Sequence, residues 1–161
     1  MTRTLRKWLL TTLLVSGILC AGVGSYAVEK KPVEIKKGDK CQVCGMSVAT
    51  YPKWVAQILF KDGSYAAFDG PKDMFKYYLN VGKYNPSRKQ ADILAIYVTE
   101  YYSARPAEAQ GLFYVQGSDV NGPMGAELVP VMTMEKAQEF MKDHGGRKIL
   151  KFEEVQAGDL R

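Results

Sequence analysis

The chain has 161 residues, 47% hydrophobic and 24% charged. That suits one ordinary folded domain or two very small ones, and excludes the charge-dominated composition of a disordered protein. The formal net charge is +5, but three of the 22 basic residues (Arg3, Arg6 and Lys7) stand at the extreme N-terminus, and the remaining 19 nearly balance 17 acidic ones; nucleic acid, which needs a concentrated basic surface, is not an expected partner.

Those three cations precede a mostly apolar run from Trp8 to about Gly24 and then the small residues Ser25 and Ala27. This is the three-zone pattern of an export signal, so residues 1–27 read as a signal peptide and the mature chain, extracytoplasmic or periplasmic, begins near Val28. The competing reading is an uncleaved anchor, because the run approaches the roughly 20 residues of a spanning helix. Cys20 could also anchor the chain to a membrane by lipidation, but Leu19 stands where lipoprotein signals want a small residue. If Cys20 leaves with the signal, Cys41 and Cys44 are the cysteines that remain.

Residues 28–40 are polar and lysine-rich, with Pro32 and no sustained periodicity, and read as a tether. The folded region is expected to open at Cys41. Residues 54–60 alternate as a half-buried strand, Asp62-Gly63 supplies a hairpin turn, and Tyr65 to Phe68 returns. Asp69-Gly70-Pro71 then opens a helix with Pro at its first position, and Met74, Phe75, Tyr78 and Leu79 form its apolar stripe. A strand over Ile93 to Val98 closes a ββαβ unit. The order recurs: a strand over Leu112 to Val115, a turn-rich stretch from Gly117 to Gly125, a strand over Leu128 to Met132, and a helix from about Met134 capped by Thr133. Gly145-Gly146 ends that helix, and Ile149 to Phe152 is the last strand. The expected class is α+β, two small ββαβ units in tandem, residues 41–103 and 104–157.

The segment Cys41-Gln42-Val43-Cys44-Gly45-Met46 places two thiols and a thioether within six residues. Soft sulfur donors select soft ions such as Cu(I), and thioether sharpens that choice, since zinc takes thiolate and imidazole and a closed zinc site wants four ligands, usually Cys and His. With Cys41, Cys44 and the single His144 the mature chain cannot furnish four Cys and His donors, so structural zinc within a monomer is not expected. Two rival readings of the cysteine pair stay open. One is an exported thiol–disulfide redox protein, although such motifs open a helix and here Ser47, Thr50, Tyr51 and Pro52 follow. The other is a structural disulfide in a noncatalytic interaction module, although so short a loop restrains little of the unfolded chain. Met74, Met132, Met134 and Met141 lie within strand or helix patterns and read as core filler. Met124, between Gly122-Pro123 and Gly125, sits on a turn and could approach Met46 and a cysteine to complete a three-sulfur site. His144, at a helix end, is an auxiliary ligand at most. No nucleophile elbow or phosphate loop is present in the sequence, and a carrier is expected rather than an enzyme.

The CxxCGM segment, Phe68-Asp69-Gly70, Val98-Thr99-Glu100-Tyr101-Tyr102, the block from Gly122 to Pro130 and His144-Gly145-Gly146 together resemble the NosL family from about Cys41 to Val155. The resemblance implies a small exported protein, often lipid-anchored, built of paired ββαβ units, that binds Cu(I) and supports copper assembly in nitrous oxide reductase. By the same resemblance Cys44, Met46 and Met124 are the copper ligands, with Cys41 less firmly assigned. The implied partners are a copper-accepting enzyme and copper-donating membrane proteins.

Overall fold

A computed structural model describes residues 30–161. The export signal, Cys20 and the mature N-terminus near Val28 lie outside the described residues. Among the described residues no helix is long and apolar enough to cross a membrane.

The first sheet contains β1 (Ala56–Phe60), β2 (Tyr65–Phe68), β3 (Ile93–Thr99) and β4 (Pro106–Glu108), with α1 (Pro71–Leu79) and the single-turn α2 (Val81–Tyr84) between β2 and β3. The second contains β5 (Phe113–Gly122), β6 (Gly125–Val131) and β7 (Lys148–Lys151), with α3 (Met134–Asp143) between β6 and β7. The sheets are ordered β2-β1-β3-β4 and β6-β5-β7, all neighbours antiparallel. Each unit thus runs strand, strand, helix, strand, with its first strand central, and the expected α+β class is the one observed.

Side-chain alternation sets the layers. On β1, Ala56, Ile58 and Phe60 face the main core while Leu59 belongs to a smaller cluster with Ala95 and Tyr97 on the other face. On the second sheet Tyr114, Leu128 and Leu150 join the main core, whereas Val115, Val129 and Val131 pack with Ala137 and Phe140 of α3. Helix α1 is therefore held between the sheets: Tyr77 meets Phe68 at 5.2 Å between ring centroids, and Phe75 meets Tyr114 and Phe152 at 4.9 Å each. One core serves both units.

Four expectations change. Residues beyond about 32 are not a free tether: Val33 exchanges two hydrogen bonds with the Gln57 side chain, at 2.7 and 2.9 Å, and packs on the outer face of the first sheet. The covered outer face makes β1 buried along its whole length rather than half-buried. The stretch from Gly117 to Gly125 is not an open turn region, because β5 and β6 continue through it around an irregularity between Gln116 and Asn121 and reverse at Pro123-Met124. Finally, Met132 is 50% exposed rather than core, lying one residue past the end of β6, beyond buried Val131. The segment joining the units is itself structured, since β4 pairs with β3 there and the Tyr101 N–H donates to the Pro130 carbonyl at 2.9 Å. Pro130 stands on edge strand β6, where its missing N–H removes no ladder bond.

Candidate metal centre

The segment from Asp39 to Val48 folds back on itself. Lys40 bridges Ser47, the Cys41 N–H donates to the Met46 carbonyl at 2.8 Å, and the Gly45 N–H donates to the Cys41 carbonyl at 2.9 Å. Gly45 turns the chain at φ +78°, a left-handed conformation that a side chain disfavours. The Gln42 N–H reaches the Ala67 carbonyl on edge strand β2 at 3.2 Å, which pins the loop beside the entry of α1.

That entry carries Asp69 and Asp73, 1% and 2% exposed. The Cys41 thiol donates to Asp73 Oδ2 at 3.4 Å and the Cys44 thiol to Asp69 Oδ1 at 3.5 Å. One donor atom from each of Cys41, Cys44, Asp69 and Asp73 lies within 4.8 Å of all the others. Asp69 Oδ2 is buried and has no hydrogen-bond partner, while Asp73 Oδ1 pairs with Lys76 at 2.9 Å. A buried acceptor without a donor is costly, and the two buried carboxylates repel one another at this range. A cation among them would relieve both penalties, so the donor set fits a metal ion.

Burial drives the Cys41 thiol far above its ordinary value, with the neighbouring Asp69 carboxylate adding to the shift. The Cys44 thiol is raised as well, first by partial desolvation and then by the same pair of carboxylates. Both cysteines are thiols rather than thiolates in the metal-free protein at neutral pH, the opposite of the low-pKa nucleophile on which dithiol catalysis depends. Cys41 is 3% exposed and Cys44 is exposed. Maleimide should therefore modify Cys44 at least about tenfold faster than Cys41 in the native metal-free protein; equal rates by mass spectrometry would mean that the loop is not closed over Cys41.

The structure brings Cys41 and Cys44 together and adds the two aspartates, which the sequence presented only as part of a helix entry. Zinc therefore needs a revised treatment: counting Cys and His alone understated the donors, because two cysteines and two carboxylates form a four-membered set that zinc accepts. Met46 is half-buried on the same loop, and Met124 is 47% exposed on the Pro123-Met124 turn. His144 is not one of the four clustered donors. It follows α3, on the side of the second sheet facing away from α1, its Nδ1 3.1 Å from Asp119 Oδ1 and its ring 4.4 Å from that of Phe140. There it caps a helix end and leaves the cysteine loop to other donors.

The chain resembles the copper-binding lipoprotein NosL of Stutzerimonas stutzeri, with 28% identity over 156 residues covering 91% of this chain and 78% of the relative. Its fold matches the crystal structure of the copper chaperone NosL from Shewanella denitrificans at a TM-score of 0.67 and 22% identity, covering 81% of this chain and 98% of that one. The NosL family model matches residues 32–160, spanning both sheets and the cysteine loop, and the chain belongs to the NosL family.

Proposed function

We propose that this chain is an extracytoplasmic Cu(I) metallochaperone. It takes the ion into the pocket between the Cys41–Met46 loop and the start of α1, and passes it by ligand exchange to a copper-accepting enzyme such as nitrous oxide reductase. The observation that carries this reading is the clustering of two thiols with two buried aspartates, one of which keeps a carboxylate oxygen without a hydrogen-bond partner, in a chain whose relative is a copper-binding lipoprotein. Cys44 and Cys41 supply the anionic sulfur. Met46, on the same loop, and Met124, exposed on its turn, supply thioether, which favours a soft ion and leaves it exchangeable. Carriage rather than catalysis fits the raised thiols, and the lipoprotein relative supports export and membrane attachment of the mature chain, with copper-donating membrane proteins upstream. The two units, residues 41–103 and 104–157, each contribute to the site: the first brings the thiols and the second brings Met124.

The test is an anaerobic Cu(I) titration of the reduced protein against a competing chelator. The expected result is one Cu(I) per chain, and Met124→Ala should weaken it by roughly tenfold, about 1.4 kcal/mol, with the melting temperature nearly unchanged because the side chain is half-exposed. Unchanged affinity in that variant would remove Met124 from the site. The second reading, Zn(II) in the same pocket, is favoured by one observation, the two aspartates beside the thiols. The same titration run with zinc separates them, since a Zn(II) ion held there should depend on Asp69 and Asp73 and not on Met124.

A further inference from the structure

Glu127 is a carboxylate 5% exposed at the junction of the two units, and neither the core nor the donor cluster accounts for it. Its Oε1 accepts the Lys72 N–H at 2.6 Å, in the first turn of α1, and its own neighbour's N–H, Leu128, at 2.9 Å. The Lys72 ammonium donates in turn to the Ala126 carbonyl at 2.5 Å. Two glycines flank the carboxylate, one from each unit. A Cβ on Gly70 would collide with Glu127 Oε2, and one on Gly122 would lie 3.0 Å from the same oxygen and 3.1 Å from Cγ. The carboxylate fills a slot that exists because both positions lack a side chain.

The slot lies between the two sources of sulfur. On one side Gly70 directly follows Asp69, whose Oδ1 accepts from the Cys44 thiol. On the other side Gly122 pairs with Gly125 and closes the two-residue turn that carries Met124. Contacts therefore run without a break from Cys44 through Asp69 and Gly70 to Glu127, and on to Gly122 and the Met124 turn. Burying a carboxylate is expensive, and burial pushes Glu127 up to about 7 against the two N–H donors that lower it. An apolar residue at this position would avoid that cost and would also lose the carboxylate's bond to the first unit, from the Lys72 N–H.

We infer that Glu127 is a positioning residue, the latch that holds the Met124 turn of the second unit against the entry of α1 so that the Met124 thioether can share an ion with the cysteine loop. The inference rests on Met124 being a copper ligand, as proposed above. It assigns Glu127 no contact with the ion.

The test is a double-mutant cycle on Cu(I) affinity, with the sulfur coordination number of bound copper read by X-ray absorption on the same samples. Met124→Ala should remove one sulfur from copper and weaken binding. Glu127→Ala should reproduce that loss, one sulfur fewer and affinity lower by a similar factor, and the double variant should be no worse than Met124→Ala alone. Glu127→Gln retains an oxygen that can accept from Lys72 and should restore the wild-type sulfur count, a rescue that general destabilisation would not produce. If Glu127→Ala does not fold, Gly122→Ala takes its place, because its methyl group presses on the carboxylate without deleting it, and the same sulfur loss is expected. Three outcomes would overturn the latch: a wild-type sulfur count in Glu127→Ala, additive losses in the double variant, or failure of Glu127→Gln to rescue. If Met124→Ala itself leaves copper unchanged, the ligand assignment fails and the latch fails with it, whereas loss in Met124→Ala without loss in Glu127→Ala rejects the latch alone.

Discussion

Cys44→Ser is expected to lower Cu(I) affinity by at least about 100-fold, about 2.7 kcal/mol, with little change in stability. Cys44 is exposed, so the exchange of sulfur for oxygen opens no cavity. What changes is softness: a hydroxyl stays protonated at neutral pH and binds Cu(I) poorly, whereas the ion can displace the proton from a thiol. Thioether alone cannot compensate, since Met46 and Met124 carry no charge. Chelator competition on reduced wild-type and variant proteins measures the difference, and thermal melts of the same samples show whether the fold survived. Full affinity in the variant would move the site to Cys41 or away from the loop altogether. Cys41→Ser makes a useful contrast. That side chain is 3% exposed and faces Asp73 at 3.4 Å, so its replacement should affect the packing of the loop as well as the metal.

The largest expected effect on stability belongs to Phe75→Ala. Phe75 is fully buried on α1 and its ring lies 4.9 Å from both Tyr114 and Phe152, which come from the second unit. Deleting a buried aromatic ring costs roughly 3–5 kcal/mol, which for a domain of this size lowers the melting temperature by roughly 10 °C or more. Because the same ring is packed by residues of both units, the two should still unfold in a single transition. Differential scanning calorimetry checks both points. Two separate transitions, only one of them shifted, would mean that the two halves do not share a core in solution.

Much of this architecture was legible in the chain. The alternation in residues 54–60, the Asp62-Gly63 turn, Pro71 at the helix start and Thr133 as a helix cap are local signals, each acting over a few residues. The structure places β1, β2, α1 and α3 where they indicate, with the Thr133 hydroxyl accepting the Lys136 N–H at 3.2 Å. Where local signals misled, long-range packing had intervened. Val33 in a polar, lysine-rich stretch looks unattached until Gln57, 24 residues away, offers both a donor and an acceptor. The glycines and asparagine between Gly117 and Gly125 read as open turn, yet β5 and β6 pair again at Asn121 and Gly122 beyond the irregularity.

The metal-binding chemistry divides in the same way. The soft part of the donor set was legible in the sequence by itself, because two cysteines and a methionine close together in the chain are soft donors whatever the fold around them. The sequence also determined the repeated ββαβ order, because period and turn residues are properties of short segments. Only the tertiary structure decided which other side chains share the pocket. Asp69 and Asp73 stand 25 and 32 residues from the thiols they meet, and in the sequence they belong to a helix entry that nothing ties to the cysteines. What brings them in is the pairing of the cysteine loop with the free edge of β2, which sets the loop over the first turn of α1. The fold likewise decided that His144 caps α3 beyond the second sheet, and that a buried carboxylate joins the units where the chain shows only Ala-Glu-Leu in a strand. Spacing along the chain sets which donors are neighbours in a loop, whereas the burial that leaves a carboxylate oxygen without a donor arises only when separate elements close over it.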